Sequence, residues 1–169
     1  DRDLALRRTN STDLNPEAID KLDYLVHALK QRGIYTAFDL YTLRETLPGE
    51  ISGVSGTLSL QKYKVMAAIH EAVFSNWKQF SENLLNHVNP YTKTLWKREP
   101  AILTLSALNE DNLYAYWREA EGLYQAGFLE WLSTRGLPGQ PCEGKEFNRY
   151  LFELQRNLFR KCHAFLKGL

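Results

Sequence analysis

The 169-residue sequence is poor in several things that would point to a function. It has two cysteines, Cys142 and Cys162, without C-x-x-C spacing, and its four histidines are scattered, so the ligand spacing of a zinc site is missing. Cys162 falls on an apolar helical stripe and reads as a buried, inert thiol; a bridge to Cys142 stays open. No basic block stands out against a net charge of +1, which argues against a nucleic-acid partner. No apolar run approaches the ~20 residues of a membrane-crossing helix, and no signal peptide is visible. The chain opens on Asp1 rather than Met, which suggests an excised or processed piece. "SGVSGT" lacks the spacing of a phosphate loop, and G-x-S-x-G is missing. There is no tandem repeat and no low-complexity tract.

What is present is ordinary globular material, 44% hydrophobic and 24% charged, enough for one domain with a substantial core. The first ~14 residues carry no period and read as loop; within them Asn10-Ser11-Thr12 matches a glycosylation acceptor, relevant only in a eukaryotic secretory route. Asn15, Pro16 and Glu17 then punctuate a helix start, since an Asn oxygen accepts a first-turn N–H and Pro has none to leave unpaired. Ile19, Leu22, Leu25, Val26 and Leu29 share a face, and Gly33 ends the helix. "IYTAFDLYT" (34–42) is β-branched and aromatic and predicts a strand. Residues 43–58, with Pro48 and three glycines, predict a long loop, and 59–86 a helix with a break near Phe74-Ser75. "HVNPYTK" predicts a turn. "AILTLSALN" (101–109) is almost continuously apolar, which suits a strand covered on both faces. Helices follow from about Asn112 to Gly136 and from about Lys145 onward, the last with Phe147, Leu151, Leu154, Leu158 and Cys162 in its stripe. Trp77, Trp96 and Trp131 read as core or loop anchors, and none of the four histidines has an evident partner.

Strand alternating with helix predicts parallel β/α units. In a β/α barrel the reactive groups leave the packed core at the carboxyl ends of strands. Asn109 and Glu110 hold that place on the second strand, Asp39 and Tyr41 on the first. The turn "HVNPYTK" precedes a strand, so it belongs at the opposite end and reads as structural. From position alone, Asn109-Glu110 is also an ordinary polar strand end, with glutamate favoured by the following helix dipole.

The segment "LLNHVNPYTKTLWKREPAILTLSALNEDNLYAYW" resembles the cellulase-like glycoside hydrolases of clan A, eight-stranded (β/α) barrels. "LDYLVHALKQRGIYTAFDLYT" is similar to the helix and third strand of those enzymes, and "NRYLFELQRNLFRKCHAFLKGL" to the helix before their fifth strand. The resemblance implies that Glu110 is the general acid/base of a retaining β-glycosidase and that Asn109 holds the sugar 2-hydroxyl. Asp39 and Tyr41 would touch substrate, and Tyr114 would offer a ring to a sugar face, although Trp117 beside it falls on the apolar stripe and reads as core. The sequence departs from the family where Asp111 follows the Asn-Glu pair, where Tyr41 replaces a common His, and where Asp39 replaces an amide. The family's nucleophile lies on the seventh strand, beyond the segments that match. The expectation is therefore a helix-rich α/β chain with parallel strands, a partial (β/α) TIM barrel: residues 1–169 as one segment of a catalytic domain, incomplete at both ends. It would have a carbohydrate substrate, no metal and no organic cofactor. The resemblance is compatible with a secreted or periplasmic setting. Exposed strand edges would favour self-association. The alternative is a non-catalytic scaffold or carbohydrate-binding relative.

Overall fold

The computed structural model describes residues 10–169; the expected loop at 1–9 lies outside the described residues. The architecture is mixed α/β and helix-rich, with a two-stranded parallel sheet. Helix α1 (Pro16–Lys30) leads to strand β1 (Thr36–Asp39). Helices α2 (Leu60–Ile69) and α3 (Glu71–Leu85) carry the chain back, through a hairpin of β2 (Val88–Asn89) and β3 (Thr94–Leu95) and a 3-10 turn at Trp96–Arg98, to strand β4 (Ile102–Ser106). Helix α4 (Leu113–Tyr116), a second 3-10 turn (Trp117–Ala120), α5 (Glu121–Ser133) and α6 (Gly144–Gly168) complete it. Strand β1 pairs with β4 in parallel, Phe38 opposite Leu105 and Asp39 opposite Ser106, with a register shift between Thr36 and Ala37.

The helix punctuation acts as the sequence implies. Asn15 accepts from the Glu17 N–H with Pro16 at the first helical position, and Gly33 takes a φ of 69° beyond the end of α1. The long helical stretch breaks at His70, not at Phe74-Ser75: His70 is extended (φ −123°, ψ 109°) and Ser75 lies inside α3. Ser59 supplies the side-chain cap to α2 through the Lys62 N–H. The stretch from Leu113 to Ser133 is likewise divided by the 3-10 turn at Trp117.

The core lies between the helices and the sheet. Tyr41, Tyr63, Trp77, Phe80 and Leu113 are buried there, and Trp117, Tyr124, Phe128, Phe147 and Tyr150 form an aromatic layer joining α5 to α6. Gly127 permits that approach, since a Cβ there would stand 2.3 Å from the Tyr150 hydroxyl. Trp96 and Trp131 are buried as expected. Leu25 is an exception on α1: it is exposed, while Asp23 is buried.

The sheet itself departs from expectation. Continuous apolarity in 101–109 predicts a strand covered on both faces, yet Leu103, Thr104, Leu105 and Ser106 are all exposed, Leu103 to 70%. Apolar composition reports the environment a strand suits. Cys142 and Cys162 are both free thiols, which closes the question of a bridge, and burial pushes the Cys162 thiol up to about 12.

Candidate functional site

Parallel pairing brings the ends of β1 and β4 to the same side of the molecule. The alignment continues past the strands: the Leu40 N–H donates to the Ser106 carbonyl at 2.8 Å and the Asn109 N–H to the Tyr41 carbonyl at 2.9 Å. From α3, the buried Trp77 indole donates to the Ala107 carbonyl at 2.9 Å. The backbone beneath Asn109-Glu110 is thus tied to two other elements. Asn109 is half-buried, whereas Glu110 and Asp39 are exposed. Glu110 adopts a left-handed φ of 53°, uncommon for a residue with a Cβ, and closes a tight turn in which the Asn112 N–H donates to its carbonyl at 3.0 Å. Asn112 then caps α4 by accepting from the Ala115 N–H. A carboxylic acid that donates a proton needs a shielded setting, and the exposed Glu110 side chain has none within this fold.

Tyr41 does not belong to the exposed site, against expectation. It is fully buried; its ring stacks on Tyr63 at 4.1 Å and its hydroxyl donates to the Arg44 carbonyl at 3.0 Å. Desolvation raises its pKa, so the hydroxyl stays a neutral donor. The reason is Arg44. Its guanidinium is buried, donates to Tyr63, Asn76 and Ser11, and lies over the Tyr41, Tyr63 and Phe80 rings, drawing the chain after β1 inward. Tyr114 is 47% exposed, and its hydroxyl donates to the Asn148 carbonyl at the start of α6, leaving part of the ring open to solvent. Trp117 is core, packed edge-on against Phe147.

In the sequence Asp111 stands out only as a departure from the family pattern. It is half-buried, its carboxylate accepts from Gln155 Nε2 of α6 at 2.8 Å, and burial pushes its pKa up to about 6 despite the opposing field of Lys64. An open groove of about 450 Å³ runs beside it between the end of β4 and α6, with Ser106, Cys162 and His163 among its walls. The signal available in the sequence was a polar residue, Gln155, on the face of α6 that also carries Leu151, Leu158 and Cys162.

At the other end of the sheet the "HVNPYTK" turn is structural, as its place before a strand implies. Asn89 is fully buried; its side chain accepts from the Tyr91 and Thr92 N–H groups and donates to the Asp23 carbonyl. Asp23 accepts from the Trp96 indole at 2.7 Å and meets His87 Nε2 at 2.6 Å. His87 therefore has a partner that spacing did not suggest. The Asn10-Ser11-Thr12 triplet is engaged too: the Asn10 side-chain oxygen Oδ1 accepts from the Thr12 and Asp13 N–H groups. Among the described residues no group of three or more His, Cys, Asp or Glu side chains is arranged to hold a metal ion, and no helix is long and apolar enough to cross a membrane. No protein-family profile, no characterised protein and no solved structure matches the chain.

Proposed function

We propose that this chain is part of a (β/α) barrel glycosidase of the retaining, β-specific kind, with Glu110 as general acid/base and Asn109 as the residue that holds the sugar beside the scissile bond. The supporting observation is the parallel β1–β4 pairing, which sets Asp39 level with Ser106 and brings Asn109 and Glu110 out at the same end. Crossover helices join the two strands, as in β/α units. The exposed strands suit a sheet that further strands would extend, and self-association through the edge of β4 is the corresponding proposal for the chain alone. Tyr114, with its half-open ring, is the proposed sugar-stacking residue.

Retention needs a second carboxylate ~5–5.5 Å from the first. The family resemblance places it on a later strand, so no residue of this chain is assigned to that role and the chain alone is expected to be inactive. The burial of Tyr41 and the exposure of Glu110 favour one second reading, a carbohydrate-binding relative that keeps the strand ends without the chemistry.

Titrating ¹⁵N-labelled chain with β-1,4-linked gluco-, manno- and galacto-tetrasaccharides tests the reading. The expected result is a set of amide shifts confined to 39–41 and 106–114, weakened in Asn109→Ala. Silence from all three sugars overturns it. Hydrolysis of aryl β-glycosides by the chain alone, lost in Glu110→Gln, would overturn the inactive-fragment part while strengthening the role of Glu110.

A further inference from the structure

We propose that Gln155 is a positioning residue for the candidate site: from α6 it fixes the peptide units that follow Glu110, and so holds Asn109 and Glu110 out at the carboxyl end of the sheet. Its place in sugar chemistry rests on the reading of Glu110 given above. Gln155 Nε2 donates to the Asp111 backbone carbonyl at 3.0 Å and to the Asp111 carboxylate at 2.8 Å, and its Oε1 accepts from the Leu113 N–H at 3.4 Å. The Asp111 carbonyl belongs to the peptide unit 111–112 and the Leu113 N–H to the unit 112–113. One side chain, 44 positions from Asp111, therefore sets two successive units.

The backbone before Glu110 is held from other elements. The Asn109 N–H donates to the Tyr41 carbonyl at 2.9 Å, and the Trp77 indole to the Ala107 carbonyl at 2.9 Å. Between the two anchorages stand the peptide units on either side of the Glu110 Cα, so its left-handed φ of 53° is set from both directions. A non-glycine residue keeps such a conformation only where its surroundings over-determine it. The stretch "ALNED" contains no glycine that would adopt it freely. The anchorage on α6 is firm, because Leu151 and Leu158, one turn before and after Gln155, are buried in the core.

The chemistry of the side chain suits the task. This part of the turn offers two acceptors and one donor, and a neutral amide carries both kinds of group in one plane. A glutamate at 155 keeps the acceptor for Leu113, loses the donor, and sets a second carboxylate against Asp111. A leucine loses both.

The test uses the labelled chain, first without sugar and then with the tetrasaccharides. The Cα and Cβ shifts of Glu110 report its left-handed backbone, and hydrogen exchange reports Asn112 and Leu113. Gln155→Leu and Gln155→Glu should each move the Glu110 shifts away from left-handed values and speed exchange at Asn112 and Leu113 roughly tenfold. Both should weaken saccharide binding several-fold, with the amides of α2, α3 and α6 still protected. Asp111→Asn, which keeps an acceptor for Gln155, should leave the Glu110 shifts left-handed. The proposal is overturned if Gln155→Leu leaves the Glu110 shifts and the exchange unchanged, or if protection falls evenly along the chain. It is equally overturned if the turn is released and saccharide affinity stays at the parent value. Should Gln155→Leu fail to fold, the isosteric Gln155→Glu decides. A parent chain silent toward all three sugars fails the glycosidase reading by itself, and the Glu110 shifts without sugar decide the hold of Gln155 independently.

Discussion

The two ends of the parallel sheet are built on opposite principles. At the amino end of β4, polar groups are buried and answered. Asp23 takes the Trp96 indole and His87, Asn89 closes its own turn, and Glu99 takes Lys30 at 2.7 Å and the Ala101 N–H at 3.0 Å. At the carboxyl end, Asp39 and Glu110 are exposed, Glu110 is held left-handed, and Asp111 keeps a raised pKa. Both ends have sequences that catch the eye, "HVNPYT" and "ALNED". The second leaves carboxylates exposed, whereas at the first, among the described residues, only Thr92 Oγ1 and Glu99 Oε2 are buried without a hydrogen-bond partner. A buried polar group that is hydrogen-bonded holds a fold together, whereas an exposed or strained one has interactions still to offer.

Substitutions should separate the two ends, and the largest effect belongs to the amino end. Asp23→Ala strands the buried Trp96 indole, leaves the half-buried His87 without its carboxylate, and should cost roughly 2–4 kcal/mol in chemical denaturation. A loss below ~1 kcal/mol would mean that the network contributes little and that the contrast is only apparent. Trp77→Phe removes the indole that holds the Ala107 carbonyl. It should cost about 1–2 kcal/mol and move amide shifts at 107–110, linking α3 to the carboxyl end.

Asp111 provides the pH test. Its folded pKa is raised from 3.8 to about 6, so its favourable contribution is complete below about 4 and is lost as pH rises through about 6. Asp111→Asn should then stabilise the chain at pH 7 by about 1 kcal/mol, after discounting for its partial exposure, and should have no effect at pH 3.5. Equal effects at both pH values would remove the titration argument. The smallest change is expected from Glu110→Gly, which relieves the left-handed backbone and should raise stability by about 0.5–1 kcal/mol. If it destabilises instead, the exposed carboxylate makes a stabilising contact and the carboxyl end is less open than its geometry implies.

Much of the secondary structure was legible in local sequence. Asn15-Pro16 and Gly33 bracket α1, and the stripe Phe147, Leu151, Leu158 and Cys162 lies buried in α6, because capping and helical periodicity are short-range. The break at His70 was not legible: the residues on both sides of it are good helix formers, and the interruption follows from packing α2 and α3 together. At the site, the sequence marked Asn109 and Glu110 by their place after an apolar strand. It missed the burial of Tyr41, which depends on Arg44 packing over two tyrosine rings, and it missed Asp111, whose partner lies 44 positions away on α6.

By itself the chain's sequence determined where helices begin, which faces are apolar, and that two β-rich segments alternate with helices. Those properties follow from backbone sterics and side-chain period within a few residues. Only tertiary structure decided that the two strands run parallel with Asp39 beside Ser106, that Tyr41 turns inward while Glu110 turns out, and that a glutamine on the last helix grips the turn after β4. Each of these depends on burial and hydrogen bonding between groups far apart in the chain, set when the elements pack.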